Sequence, residues 1–261
     1  MTRPLQAGEL IMLVDRKKRR YLTTLADGGE FHSHAGALAH DTVIGEEEGQ
    51  EFRSSKGAAY LVVRPTLSDF VLKMKRGAQV IYPKDLGPIL LQADIFPGAR
   101  VFESGLGSGA LSMTLLRAGA QITGYELRDD FAEQAQANVA EFLGSDVLDR
   151  YDVHVRSSYE ALDHGDFDRM VLDLPEPWYV VPHAAQSLAI GGLILAYTPS
   201  IIQATNFKAA LNEHGFAMAE TIEVLHRGWH VEPAQQAVRP DHRMVAHTGF
   251  LTTARKLKTA D

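Results

Sequence analysis

The stretch that decides the fold is a short apolar strand running into three alternating glycines, Val101-Phe102-Glu103-Ser104-Gly105-Leu106-Gly107-Ser108-Gly109-Ala110. Glycine has no Cβ, so the backbone at Gly105, Gly107 and Gly109 can turn sharply and approach a ligand closely. A helix that begins directly after them would point its free N–H groups into the same space. The pattern is typical of a nucleotide-cofactor loop and fits both NAD and S-adenosylmethionine (AdoMet).

Two acidic residues narrow this choice of cofactor. Glu126 ends the next predicted strand, where its carboxylate can accept both hydroxyls of a ribose, which both cofactors carry. Glu103 lies inside the first strand, where a dinucleotide-binding fold usually has an apolar residue. A carboxylate there suits a cofactor that has an ammonium group and lacks a pyrophosphate. We therefore predict that Glu103 contributes to an AdoMet site. The alternative is a glycine-rich turn that serves only close helix packing.

Composition limits the function classes. The 261 residues, 45% of them hydrophobic, can bury one large core or one core with a small appendage. The absence of cysteine excludes disulfides, a thiolate nucleophile and Cys-ligated zinc. No signal-like or membrane-length apolar run is present, so we expect a cytoplasmic protein without a membrane partner. The net charge of -7 argues against a uniformly basic surface, but local basic patches remain compatible with RNA binding.

The chain divides into two patterns. Residues 1–64 predict a small β-rich N-terminal domain, with strands at 10–14, 20–25, 42–44 and 59–63. Residues 65–261 begin with a helix capped at Thr66 and then alternate strands with helices, which predicts an α/β fold with a doubly wound, mostly parallel sheet. The expected strands are 99–103, 121–126, 151–156, 167–173 and 192–198, followed by two long strands at 217–228 and 243–256. The expected helices between them are 109–118, 128–143, 178–189 and 201–214.

Two features of the N-terminal domain are candidates for a binding site. Arg16-Lys17-Lys18-Arg19-Arg20 is a run of five cations between two strands, and either a solvated turn or a phosphate contact for RNA explains it. His32 and His34 lie on one strand face near His40 and Asp41. Because nothing fixes a third and a fourth ligand, we expect no metal site there.

The predicted strand 167–173 ends in the motif Asp173-Leu174-Pro175-Glu176-Pro177-Trp178. Ligands of open parallel sheets lie beyond the carboxyl ends of the strands, so Asp173 and the glycine loop should face one crevice. The two prolines stiffen its wall, and Trp178 offers a flat face for a ring. The competing interpretation is that Asp173 only caps the following helix.

These motifs together resemble the tRNA (adenine-58-N1)-methyltransferase family of the bacterial and archaeal type. The resemblance covers nearly the whole chain and rests most specifically on the Asp-x-x-x-Pro-Trp element; it also includes Ile81-Tyr82-Pro83-Lys84-Asp85, Tyr125-Glu126, Arg227-Gly228-Trp229 and His247-Thr248-Gly249-Phe250-Leu251. It implies a Rossmann-like class I AdoMet-dependent methyltransferase domain, a tRNA substrate and a homotetramer. It also implies that the N-terminal module contributes to RNA binding.

The resemblance also implies roles for individual residues. Asp173 would be the catalytic residue, beside the transferring methyl group and the target adenine. The residues that would hold AdoMet are Gly105, Leu106, Gly107, Ser108, Glu126 and Asp173. The residues that would lie beside the cofactor and the target base are Tyr82 and Tyr197, with Trp178 as a further stacking surface. Tyr197 is equally compatible with a core position.

One stretch departs from the family pattern. The family commonly has an acidic residue near the cofactor's adenine after the third strand, whereas this chain has Ser157-Ser158-Tyr159-Glu160. Either Ser158 replaces the acid or Glu160 supplies it in a shifted register.

The chemistry expected from this resemblance is methylation of N1 of adenine 58, with the neighbouring adenine 57 left open. N1 carries a lone pair and needs no strong base, while a carboxylate beside the ring would stabilise the positive charge that develops. A stacked base would have to be extruded from the folded tRNA to reach the site. The alternatives are a methyltransferase that acts on a small molecule or protein, and a non-catalytic RNA-binding subunit on the same scaffold. A dinucleotide oxidoreductase comes last.

Overall fold

The computed structural model describes residues 3–77, 79–163 and 165–258. The chain separates into two compact units, Met1–Met74 and Lys75–Asp261. Within the described residues, no helix combines the length and the hydrophobicity that crossing a bilayer requires.

The first unit is a small β structure with one helix. Its elements are β1 (Leu10–Asp15), β2 (Arg20–Thr24), β3 (Glu30–Ser33), β4 (Gly36–Ala39), β5 (Gln50–Arg53), β6 (Ala59–Val63) and α1 (Leu67–Lys73). Four strands form an antiparallel sheet in the order β2-β1-β6-β5, and β3 and β4 form a separate hairpin. Alternate side chains of β1 and β6, including Leu13 and Val62, fill a core around Tyr60.

The strand predicted at 42–44 is wrong. A 3-10 turn occupies His40–Thr42, and Val43 is fully buried in the core of the first unit without pairing in a strand. The apolar pattern there reflects burial of a turn, because the buried His40 ring accepts a hydrogen bond from the Ala26 amide and holds the turn in place. Strands β4 and β5 were not predicted, and the strand expected to carry His32 and His34 is β3, which ends at Ser33.

Helix α1 belongs to the first unit. Thr66 and Asp69 form a capping box at its start, with Asp69 Oδ2 accepting from the Thr66 amide and hydroxyl. Asp69 also pairs with Arg20 of β2 at 2.5 Å, and Phe70 and Val71 are buried. Because these contacts fasten α1 to the strands before it, the division between the units falls after Met74, later in the chain than the 1–64 and 65–261 division expected from the sequence.

The second unit alternates strands and helices. Its elements are α2 (Pro83–Gln92), β7 (Arg100–Ser104), α3 (Ala110–Arg117), β8 (Gln121–Glu126), α4 (Asp129–Leu143), β9 (Tyr151–Val155), β10 (Phe167–Leu172), α5 (Val181–Ser187), β11 (Leu188–Thr198), α6 (Ile201–Glu213), β12 (Phe216–Glu223), β13 (Trp229–Glu232), β14 (Ala237–Pro240) and β15 (Phe250–Lys256). The five strands predicted between 99 and 198 are confirmed. The helix predicted at 178–189 is shorter, because a 3-10 turn at Pro177–Tyr179 precedes α5.

One seven-stranded sheet organises the second unit, in the order β12-β15-β11-β10-β7-β8-β9. The five strands β11, β10, β7, β8 and β9 run parallel to one another, and β15 and β12 add an antiparallel edge. The expected doubly wound, mostly parallel sheet is thus confirmed. The chain moves outward from β7 to β9 and then returns to β10 beside β7. The carboxyl ends of β7 and β10 therefore form the topological switch point, where ligands of such folds bind.

The switch point brings two backbone segments into close contact. The Asp173 amide donates to the Ser104 carbonyl at 2.9 Å, which extends the β7–β10 pairing by one residue. Gly105 adopts a φ of +86°, and a Cβ at this position would overlap the carbonyl oxygen of Asp173. Glycine is thus required at position 105 for two independent reasons, the positive φ and the lack of space.

The two long C-terminal strands are shorter than predicted. The strand expected at 217–228 ends at Glu223, and the strand expected at 243–256 begins at Phe250. The β13–β14 hairpin lies between them. Residues 244–249 do not continue β15, because apart from one isolated bridge from His226 to Val245 they bond to side chains and loop carbonyls rather than to a neighbouring strand.

We expect Gly105→Ala to destabilise the second unit more than Gly98→Ala does. Gly98 has nearly the same φ, +85°, but a Cβ added there would meet no atom within 4 Å. Gly98→Ala should therefore cost only the backbone strain, about 1–2 kcal/mol. Gly105→Ala should add about 1–3 kcal/mol for the displaced Asp173 carbonyl.

Urea unfolding followed by tryptophan fluorescence measures both losses, since Trp178 and Trp229 are the two tryptophans of the chain and both lie in the second unit. Equal losses from the two substitutions would show that the carbonyl contact does not constrain the loop.

Candidate active site

A first cavity of about 370 Å³ lies at the carboxyl ends of β7, β8, β9 and β10. It brings together five of the predicted site residues, which come from four separate strand ends: Gly105, Gly107, Glu126, Ser158 and Asp173. The glycine loop and the Asp173 motif therefore share one crevice, as the sequence predicts.

Glu126 is fixed at the wall of the first cavity by backbone donors. Its Oε2 accepts from the Gly107 amide at 3.0 Å and its Oε1 accepts from the Arg128 amide at 3.1 Å, while the residue is only 8% exposed. These bonds orient the carboxylate and leave further lone pairs for a ligand hydroxyl.

The structure separates the two candidates after the third strand. Ser158 is 4% exposed, lines the first cavity and accepts a hydrogen bond from the Ser104 hydroxyl at 2.8 Å. Glu160 is exposed and is not among the described residues that line the cavity. Of the two, Ser158 has the position that contact with a cofactor requires.

Three predicted cofactor residues have side chains that are buried beneath the glycine loop instead of lining the cavity. Glu103, Leu106 and Ser108 are buried and are not among the described residues that line the cavity. Leu106 packs over Gly124 of β8, and the Ser108 carbonyl accepts from the Asn138 side chain of α4. Their positions indicate that they shape the loop from beneath. The expected direct contact of Glu103 with an ammonium group does not match its place in the core.

Glu103 is part of a buried polar chain. Tyr151 donates to the Ser112 hydroxyl at 2.8 Å, and Ser112 donates to Glu103 Oε1 at 2.9 Å. The other oxygen, Oε2, has no partner among the described residues. Burial, with smaller contributions from the nearby Asp173 and Glu126 carboxylates, raises the pKa of Glu103 to about 8. Glu103 is therefore a neutral carboxylic acid near pH 7.

A second cavity of about 630 Å³ adjoins the first in the same unit. Tyr82, Tyr197 and the segment Met244–Thr248 line it, and Asp173 and Gln79 line both cavities. The Tyr197 hydroxyl donates to the Thr248 carbonyl at 2.6 Å. A Cβ on Gly249 would come within 2.5 Å of the Tyr197 ring, so the absence of a side chain there makes room for the ring.

Asp173 occupies the junction of the two cavities. Its partial burial raises its pKa to about 7, and the negative charge of Glu126 contributes to this increase. The carboxyl group is thus poised between its neutral and ionised forms near neutral pH. A residue that lines two cavities and has such a pKa is a strong candidate for a catalytic role.

Trp178 does not have the predicted position. It lies in the 3-10 turn Pro177–Tyr179, partly buried, with its ring 5.8 Å from that of Tyr179, and it is not among the described residues that line either cavity. The predicted stacking role is therefore not supported by its place.

His247 is a site residue that the sequence did not predict. Its Nδ1 lies 2.6 Å from Glu223 Oε1 and its Nε2 lies 2.9 Å from the Pro199 carbonyl. Both neighbours are acceptors, and the Pro199 carbonyl followed by the Glu223 carboxylate raises the pKa of His247. Only the protonated ring can donate to both acceptors at once, and these contacts therefore favour the imidazolium form. The dipeptide His247-Thr248 within an apolar stretch was the available signal.

Other lining residues were also missed. Gln79, Arg156 and Tyr159 line the first cavity. Arg156 directly follows β9, and the carboxyl end of a third parallel strand is a position that could have identified it. Gln79 precedes α2 in an irregular stretch and has no such signal.

His32 and His34 each contact a side chain of the first unit. His32 Nε2 lies 3.4 Å from Glu30 Oε2, and His34 Nε2 lies 3.3 Å from Arg19 Nη2. Across the part of the chain that the structure describes, no cluster of three or more His, Asp or Glu residues has the arrangement of a metal site.

Comparison with known proteins identifies the family. The family model described as the tRNA methyltransferase complex GCD14 subunit matches residues 58–237, and the TrmI-like N-terminal model matches residues 4–50. The tRNA (adenine(58)-N(1))-methyltransferase TrmI of Thermus thermophilus is 35% identical over 254 residues, covering 96% of this chain and 98% of that protein. This chain belongs to the tRNA (adenine-58-N1)-methyltransferase family.

A further relative and two solved structures are also similar to this chain over nearly its whole length. A relative in this family, from Methanocaldococcus jannaschii, is named for both adenine 57 and adenine 58; it is 34% identical, with 94% of each chain covered. The TrmI structure from Aquifex aeolicus has a TM-score of 0.85 at 28% identity, covering 98% of this chain and all of that one. A structure described as a SAM-dependent O-methyltransferase, from Thermotoga maritima, has a TM-score of 0.91 at 30% identity, covering 98% and 96% of the two chains.

We expect Glu103→Gln to stabilise the protein increasingly as the pH rises. Below its ordinary pKa of 4.5, the carboxyl group is protonated in both folded and unfolded chains. Between pH 4.5 and 8 the unfolded chain releases this proton while the folded chain retains it, so the stability of the wild type falls with rising pH. Glutamine does not titrate, and the stability difference should therefore grow by about 2 to 3 kcal/mol between pH 6 and pH 9.

Urea unfolding at several pH values measures this difference. Glu141→Gln, an exposed site on α4, is the control for loss of one glutamate. A difference for Glu103→Gln that stays constant with pH would contradict a buried neutral carboxyl group.

Proposed function

We propose that this protein transfers a methyl group from AdoMet to N1 of adenine 58 in the T-loop of tRNA. The observation that carries the proposal is the position of Asp173, which lines both a cofactor-sized cavity and a tyrosine-lined cavity. Membership of the family supports tRNA as the substrate. The relative named for adenines 57 and 58 makes adenine 57 a second position to examine.

The first cavity fits AdoMet. Gly105 and Gly107 line this cavity without side chains, so the backbone of the loop itself would face the cofactor. Glu126 holds two carboxylate oxygens at the end of β8, where they would accept from the ribose hydroxyls. Carboxyl groups at Glu126 and Asp173 also suit a cofactor that carries a sulfonium and an ammonium group. When bound, AdoMet supplies an electrophilic methyl group.

The second cavity suits the target base. Tyr82 and Tyr197 present aromatic side chains on its walls, and an adenine extruded from the tRNA would stack on such rings. Asp173, at the junction, would accept from the exocyclic amine of the adenine. As a carboxylate it would stabilise the positive charge that develops on the ring during methylation of N1. Alignment of the base against the first cavity would supply much of the remaining rate enhancement.

The proposal includes RNA contacts by the first unit and assembly as a cytoplasmic homotetramer, following the family resemblance. Two cations of the basic run are already paired, Arg19 with Asp15 at 2.6 Å and Arg20 with Asp69 at 2.5 Å. Arg16, Lys17 and Lys18 are exposed and are the residues we propose for phosphate contacts.

The test is incubation of the purified protein with methyl-labelled AdoMet and unmodified tRNA transcripts, followed by nucleoside analysis. We expect label in 1-methyladenosine, and its loss when position 58 is changed to guanine. A parallel transcript changed at position 57 tests the neighbouring adenine. Label only in a 2′-O-methylated nucleoside would identify oxygen as the acceptor, the atom named in the description of the Thermotoga maritima structure, and would overturn the proposal. Failure to label any tRNA would do the same.

We expect the methylation rate to depend on the ionisation of Asp173. Because the pKa of Asp173 is raised to about 7 and only the carboxylate accepts from the amine, the single-turnover rate at saturating AdoMet and tRNA should rise from pH 5.5 to a plateau by pH 8. The positive charge of the cofactor would place the midpoint at or below 7. Asp173→Asn should lower the plateau at least about 100-fold, a loss of roughly 3 kcal/mol, and abolish the rise.

AdoMet affinity, measured by calorimetry at each pH, should fall far less in Asp173→Asn than the methylation rate does. The matched control is Asp168→Asn, at the opposite end of β10, where the side chain pairs with Arg100. A rate that is independent of pH, or near-normal transfer by Asp173→Asn, would remove Asp173 from the chemistry.

A further inference from the structure

The outer wall of the second cavity is an irregular segment that side-chain contacts hold in place. Met244–Thr248 line the cavity but lie outside the strands, and β15 begins only at Phe250. Backbone pairing supports this segment at a single bridge, between His226 and Val245. The position of the wall therefore depends on other contacts, of which those of Thr248 are the most deeply placed.

Thr248 connects the wall to α2 through a buried ion pair. Its hydroxyl donates to Asp85 Oδ2 at 2.7 Å, and Lys84 Nζ donates to Asp85 Oδ1 at 2.8 Å. Lys84 Nζ also donates to the Val224 carbonyl, just after β12, at 2.6 Å. The Asp85 side chain is 0% exposed and that of Lys84 is 4% exposed.

This arrangement is not explained by stability alone. Removing two charges from water costs several kcal/mol, and a buried ion pair often contributes no more than apolar residues of similar size. What it provides is a single geometry, since both oxygens of Asp85 have directional partners on different segments of the chain. The best-supported role of such a buried pair is to hold segments of the chain in a fixed relative position. Here it fixes α2 relative to Thr248 and to the end of β12.

The network ends at both tyrosines of the second cavity. The Asp85 amide donates to the Tyr82 carbonyl at 2.8 Å, in the first turn of α2. On the other side, the Thr248 carbonyl accepts from the Tyr197 hydroxyl at 2.6 Å. Asp85 thus connects to Tyr82 through its backbone and to Tyr197 through Thr248. Neither Lys84 nor Asp85 is among the described residues that line a cavity.

We infer that Lys84, Asp85 and Thr248 are positioning residues that fix Tyr82 and Tyr197 in the geometry required to hold the target base. The inference rests on the proposed function and deepens it, because it assigns the placement of the base to contacts behind the cavity. The first cavity shares no residue with this network, so the network acts on methyl transfer and not on AdoMet binding. A small displacement of a reacting base lowers the rate without weakening the contacts that hold the rest of the RNA.

The test compares three threonine variants in single-turnover methylation at saturating AdoMet and tRNA. Thr248→Val removes the hydroxyl and keeps the shape, whereas Thr248→Ser keeps the hydroxyl. Thr252→Val is the matched control, since Thr252 is a buried threonine of β15 whose hydroxyl bonds to Thr221 at 2.9 Å, away from both cavities. Thermal unfolding and AdoMet affinity are measured for each.

We expect Thr248→Val to lower the maximal rate at least tenfold with AdoMet affinity within twofold of the wild type. Thr248→Ser should retain at least a third of the wild-type rate, and Thr252→Val should stay within twofold even if its Tm falls as far as that of Thr248→Val. An unchanged maximal rate in Thr248→Val, a change confined to tRNA affinity, or an equal loss in Thr252→Val would overturn the inference.

Tyr197→Phe tests the same inference if Thr248→Val does not fold. Tyr197→Phe keeps the ring and removes only the donor to the Thr248 carbonyl, and we expect a loss of at least fivefold in the maximal rate. Where both single variants fold, the double variant should lose no more than the worse single one, because both interrupt one network. Additive losses, or a normal rate in Tyr197→Phe, would contradict it. A wild-type protein that methylates no tRNA would instead refute the proposed function.

Discussion

The close approach of Gly105 to the carbonyl of Asp173 is the constraint on which the second unit depends. Two parallel strands end side by side at the switch point, and the chain leaving one of them passes against the chain leaving the other. This approach is possible only because position 105 has no side chain and tolerates a positive φ. It places the glycine loop and Asp173 at one crevice, so the cofactor cavity and the junction with the second cavity both follow from it.

The carboxyl groups around this contact have different surroundings. Glu126, at the cavity wall, is held by two backbone amides, whereas Glu103 is sealed beneath the loop and retains its proton near pH 7. The pKa of Asp173 is raised to about 7. Glu103 and Asp173 have similar intrinsic acidity, so their different pKa values come from burial and from the repulsion of neighbouring carboxylates rather than from residue type.

The parts of this structure that the sequence predicted are those with a local signal. The alternation of strands and helices, the glycine spacing and the Asp173 motif were sufficient for the parallel part of the sheet and for five residues of the first cavity. Glu103 was misplaced because a strand pattern does not say which face a carboxylate takes. Trp178 was expected as a stacking surface from its place after two prolines, but it lies in a 3-10 turn and is not among the described residues that line either cavity. The segment before β15 has an apolar composition typical of strands, and only long-range contacts to Asp85, Glu223 and Pro199 show that it forms a wall.

The two cavities come from different lengths of the chain. The described residues that line the first all lie between Gln79 and Pro175, whereas the second also requires Tyr197, Pro199 and the segment that ends at Thr248. During synthesis, the lining of the cofactor cavity is thus complete before the outer wall of the substrate cavity has been made.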